Sequence, residues 1–364
     1  MIMNCAQRSD YFSSSYVEAR SRFNSKAQVR GLVVTTYTFA GKGVAGEALT
    51  ADTVELGDPR SSNVLFIVSG THGVEGFAGS GCQLAVLDQI DALKLGNCRI
   101  VLVHALNPFG FSYFRRSNEY NVDINRNFLT SRPTAIIDKN REHAVIRQLR
   151  KTSNGYQSLK LSLMLVWQII QGKKAALQSL ITAGQYENER DLFFGGTTAS
   201  ASAQFWQDLL VKYQSNSLYL MDIHTGLGKR GQAYILSEAQ KSSAQYQDNH
   251  RFFKHCNLVH TANDVSISSQ LRGTLSSRLP EPDKAITLEY GTRGGLSVLC
   301  ALALENYHYW HNRGEQPHRQ SADRLKEIFI PQSRRWRAGV IESFWQILER
   351  QIQLIHSKPK QGSL

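Results

Sequence analysis

Cysteine is scarce and unpaired in this 364-residue chain. Cys5, Cys82, Cys98, Cys256 and Cys300 are an odd number, widely scattered, with no CxxC pair. That argues against a disulfide framework and a cysteine zinc site, and suits a reducing compartment. Long apolar runs are missing too. The longest, Leu161 to Ile170, is broken by Ser162 and Gln168 and is too short to span a bilayer. The opening MIMNCAQRSDYF has neither an apolar h-region nor a cleavage signal. The expectation is therefore a cytoplasmic protein with no membrane partner. Proline, glycine and serine never concentrate into a linker, and no internal repeat occurs. One domain over 1–356 is expected, with a helical insertion around 135–185 and a flexible tail at 357–364.

Acidic residues are in the minority. The 42 Lys+Arg outnumber the 30 Asp+Glu, giving a net charge of +12. Such a charge favours anionic partners, whether carboxylate substrates, nucleic acid or membrane surfaces. The basic residues are dispersed, however, with only modest clusters at Arg324 to Arg337 and in the tail. Without a basic stripe or a recognisable module, nucleic acid is not an expected partner. Hydrophobic residues at 41% and charged residues at 20% are those of a soluble globular protein with a real core.

Residues 11–27 read as a polar helix opened by serine caps. GLVVTTYTFAG and ADTVELGD then read as two β-rich edge strands. The first strongly buried strand is VLFIVSG, followed by a helical pattern from Ala78 to Leu93 and a second apolar strand, CRIVLVHALNP. Strand, helix and strand in that order make a right-handed crossover and a parallel core. Gly110 to Phe128, rich in Asn, Arg and aromatics, suits a long ordered loop, and such loops over a sheet are often functional. A helical region follows at 135–185, with an apolar face from Leu159 to Ile181, and a short helix at Trp206 to Tyr213. SLYLMDIHTGLG, QAYILSE and KAITLEYGT read as further strands, and 296–356 as helical. The fold class expected is α/β, a three-layer α/β/α arrangement around a mixed, largely parallel sheet.

The chemistry gathers at strand ends. In VLFIVSGTHGVEGFA, His72 and Glu75 follow a buried strand, where ligands bind in open α/β sheets. An imidazole nitrogen and a carboxylate oxygen are good zinc ligands, and a catalytic zinc takes three protein ligands and keeps one open position. His and Glu three apart recur by chance, but a second strand delivers His224 in the same way, with Asp222 beside it. A carboxylate next to a ligating histidine fixes its tautomer. Glu289, near the end of ITLEYGT, is placed to act as a general base for a metal-held water. Arg115, Arg116, Asn125 and Arg126 lie in the loop RRSNEYNVDINRNF, and guanidinium forks bind carboxylates or an oxyanion. Two competing sets are Glu305, His308, His311 and His250, His255, His260. The first lacks the second ExxH that a di-metal bundle needs. The second, spaced by five, does not hold one helical face.

Four motifs in order, HGVE at 72–75, DINRNF at 123–128, DIHTG at 222–226 and TLEYGT at 287–292, resemble the metallocarboxypeptidase superfamily. This superfamily includes carboxypeptidase A and the succinylglutamate desuccinylase and aspartoacylase branch, and the match is to a bacterial branch over residues ~60–295. The resemblance implies one Zn2+ held by His72, Glu75 and His224, with Asp123 buttressing the first histidine. It implies Asn125 and Arg126 as the grip on a substrate carboxylate. Arg116, or else Arg115, would polarise the scissile carbonyl, with Glu289 as general base and acid. The implied activity is hydrolysis of an amide next to a free carboxylate. A carboxypeptidase on small peptides leads, an N-acyl amino acid deacylase is the alternative, and a non-catalytic binding protein on the same fold comes third. The mobile tyrosine of the carboxypeptidases has only candidates here, Tyr234 and Tyr290.

Overall fold

The computed structural model describes residues 5–129, 143–174, 176–177, 183–261 and 273–358. The tail beyond 358, residues 135–142 of the expected helical insertion and the end of its apolar-faced stretch at 178–181 lie outside the described residues. Among those described, eight strands form one sheet: β1 (Val34–Lys42), β2 (Ala48–Leu56), β3 (Asn63–Val68), β4 (Cys98–His104), β5 (Ser217–Gly226), β6 (Ala233–Ser237), β7 (Asn257–His260) and β8 (Ala285–Gly291). Their order is β1-β2-β4-β3-β5-β8-β6-β7. The four central strands β4, β3, β5 and β8 run parallel, while β1, β2 and β6 add antiparallel pairings around them. The helices are α1 (Cys5–Ser9), α2 (Tyr16–Val29), α3 (Gly76–Gln89), α4 (Pro108–Ser112), α5 (Ala144–Arg150), α6 (Gly155–Ile170), α7 (Ala201–Lys212), α8 (Ala244–Phe253), α9 (Gly295–His311), α10 (Gln316–Phe329) and α11 (Arg334–His356). Ser15 caps α2, its hydroxyl accepting from Glu18 N–H.

Side-chain parity along the strands builds the layers. Leu65 and Ile67 of β3 with Tyr219, Met221 and Ile223 of β5 enter the larger core, under α2, α3, α9, α10 and α11. Val64, Phe66, Val68, Leu218 and Leu220 enter the smaller core on the opposite face, covered by Phe205, Trp206, Leu209 and Leu210 of α7. The result is an α/β protein with helices on both faces of a mixed sheet. The same parity sends Asp222, His224 and Glu289 to the α7 face, past the point where α7 covers it.

One expectation is corrected. Of the two strands expected at an edge, β1 is one and β2 is not, being paired on both sides. Asp52 of β2 is fully buried, where it accepts from Arg20 Nε at 2.7 Å and Thr36 Oγ1 at 2.6 Å. At the other edge, β7 is four partly exposed residues, too short for a readable alternation.

Opposite Asp52 in the β2–β4 register stands His104, which is fully buried. Its ring stacks on Phe23 at 4.7 Å and its Nε2 lies 3.1 Å from Ser80 Oγ. Burial pushes its pKa down to about 4, against a smaller opposing pull from the Asp52 carboxylate. A depressed histidine favours the fold above its unfolded pKa of about 6.5, and that contribution is lost as pH falls toward the folded value. Chemical denaturation of wild type and His104→Gln should therefore give stabilities that converge, or cross, between pH 7 and pH 4.5. A difference independent of pH would show that His104 does not titrate in that range.

Candidate metal centre

Three adjacent parallel strands deliver the polar cluster at their carboxyl ends. β3 runs into Ser69-Gly70-Thr71-His72, and a tight 3-10 turn over Gly73–Glu75 brings Glu75 back beside His72. β5 supplies Asp222 and His224, and β8 supplies Glu289 directly opposite His224 in the parallel register. His72 Nδ1 lies 2.9 Å from Glu75 Oε1 and 3.0 Å from His224 Nδ1, and His224 Nδ1 lies 3.4 Å from Glu75 Oε2. These three side chains are buried, and among the described residues they are the only group of three or more His, Cys, Asp or Glu able to hold a metal ion.

The outer nitrogens determine what the inner ones can do. His224 Nε2 is 2.6 Å from Asp222 Oδ2, and Asp222 Oδ1 accepts from Thr71 Oγ1 at 2.7 Å. His72 Nε2 is 3.3 Å from Asp123 Oδ1. A carboxylate only accepts, so each Nε2 carries the proton and each Nδ1 turns its lone pair inward. Two lone pairs and a carboxylate converging within hydrogen-bond distance repel one another unless a cation or a proton joins them. Two imidazoles and one carboxylate are a zinc donor set with one position open. The residues present fit the ion.

The electrostatics agree. Burial alone would raise Glu75, but the charge of His72 and hydrogen bonding from His224 and His72 hold it well below the carboxylate range. Its Oε2 also accepts from the Thr225 N–H at 2.7 Å. Burial alone would lower His224, yet Asp222 and Glu75 hold it well above the usual histidine value. A proton is thus the guest that competes with a metal. Glu289 behaves differently: burial pushes it up to about 8, aided by the Glu75 charge and opposed by His224 and Arg116. Its Oε2 is buried and has no hydrogen-bond partner among the described residues.

The long loop after β4 closes one side. Gly73 N–H donates to Arg116 O at 3.2 Å and Val74 N–H to Arg115 O at 2.8 Å, which docks the ligand turn onto this loop. A Cβ on Gly73 would stand 2.1 Å from the Gly110 carbonyl carbon, so only glycine permits that approach. Arg116 Nε donates to Asp123 Oδ2 at 3.0 Å, its Nη1 is 3.6 Å from Glu75 Oε1, and its guanidinium lies over Phe193. Burial opposes ionisation of Asp123, but Arg116, His72 and Arg126 hold its carboxyl well below its ordinary value. Asn125 and Arg126 sit on the 3-10 turn that Asp123 caps. Asn125 Oδ1 accepts from Leu275 N–H at 2.9 Å, and the buried Arg126 donates to Asn125 O at 2.7 Å.

Of the residues expected at the site, Arg115 is the correction. It points away from the cluster, because its Nε is 2.7 Å from Glu305 Oε1 and its guanidinium stacks 3.2 Å from the Tyr309 ring centre. Arg116 is the arginine beside the metal ligands. Glu305, bound to Arg115, is unavailable to His308 and His311, whose Nδ1 atoms face Asn312 Oδ1 and Tyr307 O. His250 and His260 stack on each other without His255. Tyr290 is buried in the core on the far face of the sheet, whereas Tyr234 pairs with Glu289 in the β6–β8 register. Thr71, the Thr225 N–H and Phe193 escaped the sequence reading. Thr71 adjoins His72 and was findable; Phe193 comes from a distant loop with no local signal.

A protein-family profile matches residues 12–343. The chain belongs to that family, described as "Protein of unknown function (DUF2817)". No curated protein sequence matches it significantly. Among solved structures it is similar to bovine thrombin-activatable fibrinolysis inhibitor in complex with tick carboxypeptidase inhibitor, at 11% identity and TM-score 0.46, covering 91% of this chain and 98% of that one. It is also similar to a metallo-carboxypeptidase from Burkholderia cenocepacia, at 10% identity and TM-score 0.44, covering 93% of this chain and 70% of that one. At these identities and TM-scores, the reading of the site rests on the chain's own residues.

Elemental analysis should find one equivalent of zinc in purified protein, lost in His72→Ala. In Gly73→Ala the forced shift of the ligand turn should weaken zinc retention against a chelator and destabilise the fold by well over about 1 kcal/mol. Well-folded wild type that takes up no zinc in titration would refute the metal centre.

Proposed function

We propose that the protein is a zinc-dependent hydrolase that cuts an amide bond beside a free carboxylate, acting as a carboxypeptidase on small peptides. One observation carries this reading: a two-imidazole, one-carboxylate cluster stands next to a separate buried carboxyl, Glu289, on the neighbouring strand. His72, Glu75 and His224 would hold a zinc ion, which would supply Lewis acidity to a carbonyl and to a water. Glu289 Oε2, not engaged by another side chain, takes the proton from the attacking water and returns it to the leaving amine. Positive charge held in the cluster would oppose the burial that raises the Glu289 carboxyl and would favour its ionised form.

Arg116 donates to the carbonyl oxygen as negative charge grows there. Asp123 holds Arg116 and the His72 ring together, so the oxyanion donor and the first ligand keep one geometry. Asp222 does the same for His224. Asn125 and Arg126 bind the substrate carboxylate, Asn125 being oriented by its bond to Leu275 and Arg126 by burial.

Peptides and N-acyl amino acids both present the carboxylate this clamp requires, so a screen of the zinc-loaded protein against both classes is the test. Release of a C-terminal amino acid from peptides supports the proposal; turnover confined to N-acyl amino acids moves it to a deacylase; turnover of neither overturns it. Glu289→Gln should lower kcat by about 10²–10⁴-fold with zinc content unchanged. Near-normal activity in that variant would remove Glu289 from the mechanism. Arg116→Ala should lower kcat/KM by about 10²–10³-fold while retaining zinc.

A further inference from the structure

Helix α6 is apolar on two faces. One face carries Leu161 and Leu165, both buried, and lies against α9, with Ser162 Oγ 3.3 Å from Cys300 Sγ. On the other side, Tyr156, Leu159, Leu163, Val166, Trp167 and Ile170 fall within a stripe about 100° wide at helical spacing. All six are exposed, Trp167 at 60% and Ile170 at 71%. Lys160 is the single charged residue of the helix and stands on the flank of the stripe. A helix that is hydrophobic all round is ordinarily covered, and a contiguous stripe of exposed apolar side chains marks an interaction surface.

Charge decides what covers it. From 143 to 177 the chain holds Arg147, Arg150, Lys151, Lys160, Lys173 and Lys174 and no Asp or Glu. Arg150 is paired with Asp191, while Lys151, Lys160, Lys173 and Lys174 are exposed around the helix and its two ends. A second copy docked about a two-fold axis would bring this lysine set against itself, with no acidic residue in the segment to offset the repulsion. A negatively charged surface complements it. An apolar stripe with Trp and Tyr, bordered by lysines, is the composition of helices that lie in a membrane interface.

We propose that α6 is an interfacial docking helix that seats the protein on an anionic lipid surface. The stripe from Tyr156 to Ile170 enters the acyl boundary, and the four lysines sit among the headgroups. This departs from the expectation of no membrane partner, which rested on the absence of a spanning segment; no helix among the described residues is long and apolar enough to cross a membrane. Lying in an interface requires no such length. The proposal does not depend on the hydrolase reading.

The test is co-sedimentation of the full chain with vesicles of phosphatidylcholine containing about a third phosphatidylglycerol, against phosphatidylcholine alone. Binding to the anionic vesicles that weakens with salt is expected, with a blue shift of tryptophan emission that Trp167→Phe removes. The double variant Leu163→Glu, Trp167→Glu should lose at least about tenfold in partitioning. Both positions are exposed, so its thermal unfolding should match wild type. Equal binding by wild type and the double variant, or no binding to anionic vesicles, overturns the proposal. So does a lipid-free dimer that the double variant splits, which would make a second copy the cover.

Discussion

Everything at the candidate site depends on the two carboxylates behind the histidines. Asp222 accepts from the outer nitrogen of His224 and Asp123 faces that of His72 at 3.3 Å, and this turns two inner lone pairs toward Glu75. Each carboxylate is itself fixed, Asp222 by the Thr71 hydroxyl and Asp123 by Arg116 and the Asn125 N–H. The arrangement is stable only with positive charge at its centre. A proton can supply that charge, and so can a metal; two nitrogens, one carboxylate and an open position suit zinc. Glu289 stands beside this cluster, its carboxyl raised by burial and by the Glu75 charge, with a buried Oε2 that has no hydrogen-bond partner among the described residues.

A second dependence joins separate parts of the chain. The ligand turn at Gly73–Glu75 hydrogen-bonds through its backbone to the loop carrying Arg115 and Arg116. Arg115, which looked like a substrate residue, anchors that loop through Glu305 and Tyr309. Adjacent arginines thus divide the work: the buried one fixes the loop to α9, and the other faces the metal ligands. The segment after the insertion also contributes, because Asn121 donates to the carbonyls of Glu189 and Asp191 and so ties the loop to the stretch that brings Phe193 over Arg116.

The fold was readable where burial is symmetric. VLFIVSG, CRIVLVH and SLYLMDIH are apolar at nearly every position because both faces of the central sheet are covered, so periodicity and length together identified them. β2 was misplaced because Asp52 and Thr53 look solvent-facing, although the first is neutralised in the interior by Arg20 and hydroxyls from β1 and β2. β7 was missed because four partly exposed residues carry no pattern.

The sequence by itself determined the candidate ligands His72, Glu75 and His224 and their places at strand ends, since a strand's carboxyl end and an HxxE turn are local features. It also determined Asp222, because residues two apart on a strand share a face. Only the tertiary structure decided which arginine reaches the cluster. Neighbouring residues in a loop have no fixed relative direction, and here the buried Glu305 on α9 claims Arg115. Only the tertiary structure, likewise, left the second apolar face of α6 exposed. Helical spacing shows that both faces are apolar, but which one meets α9 depends on packing between elements far apart in the chain.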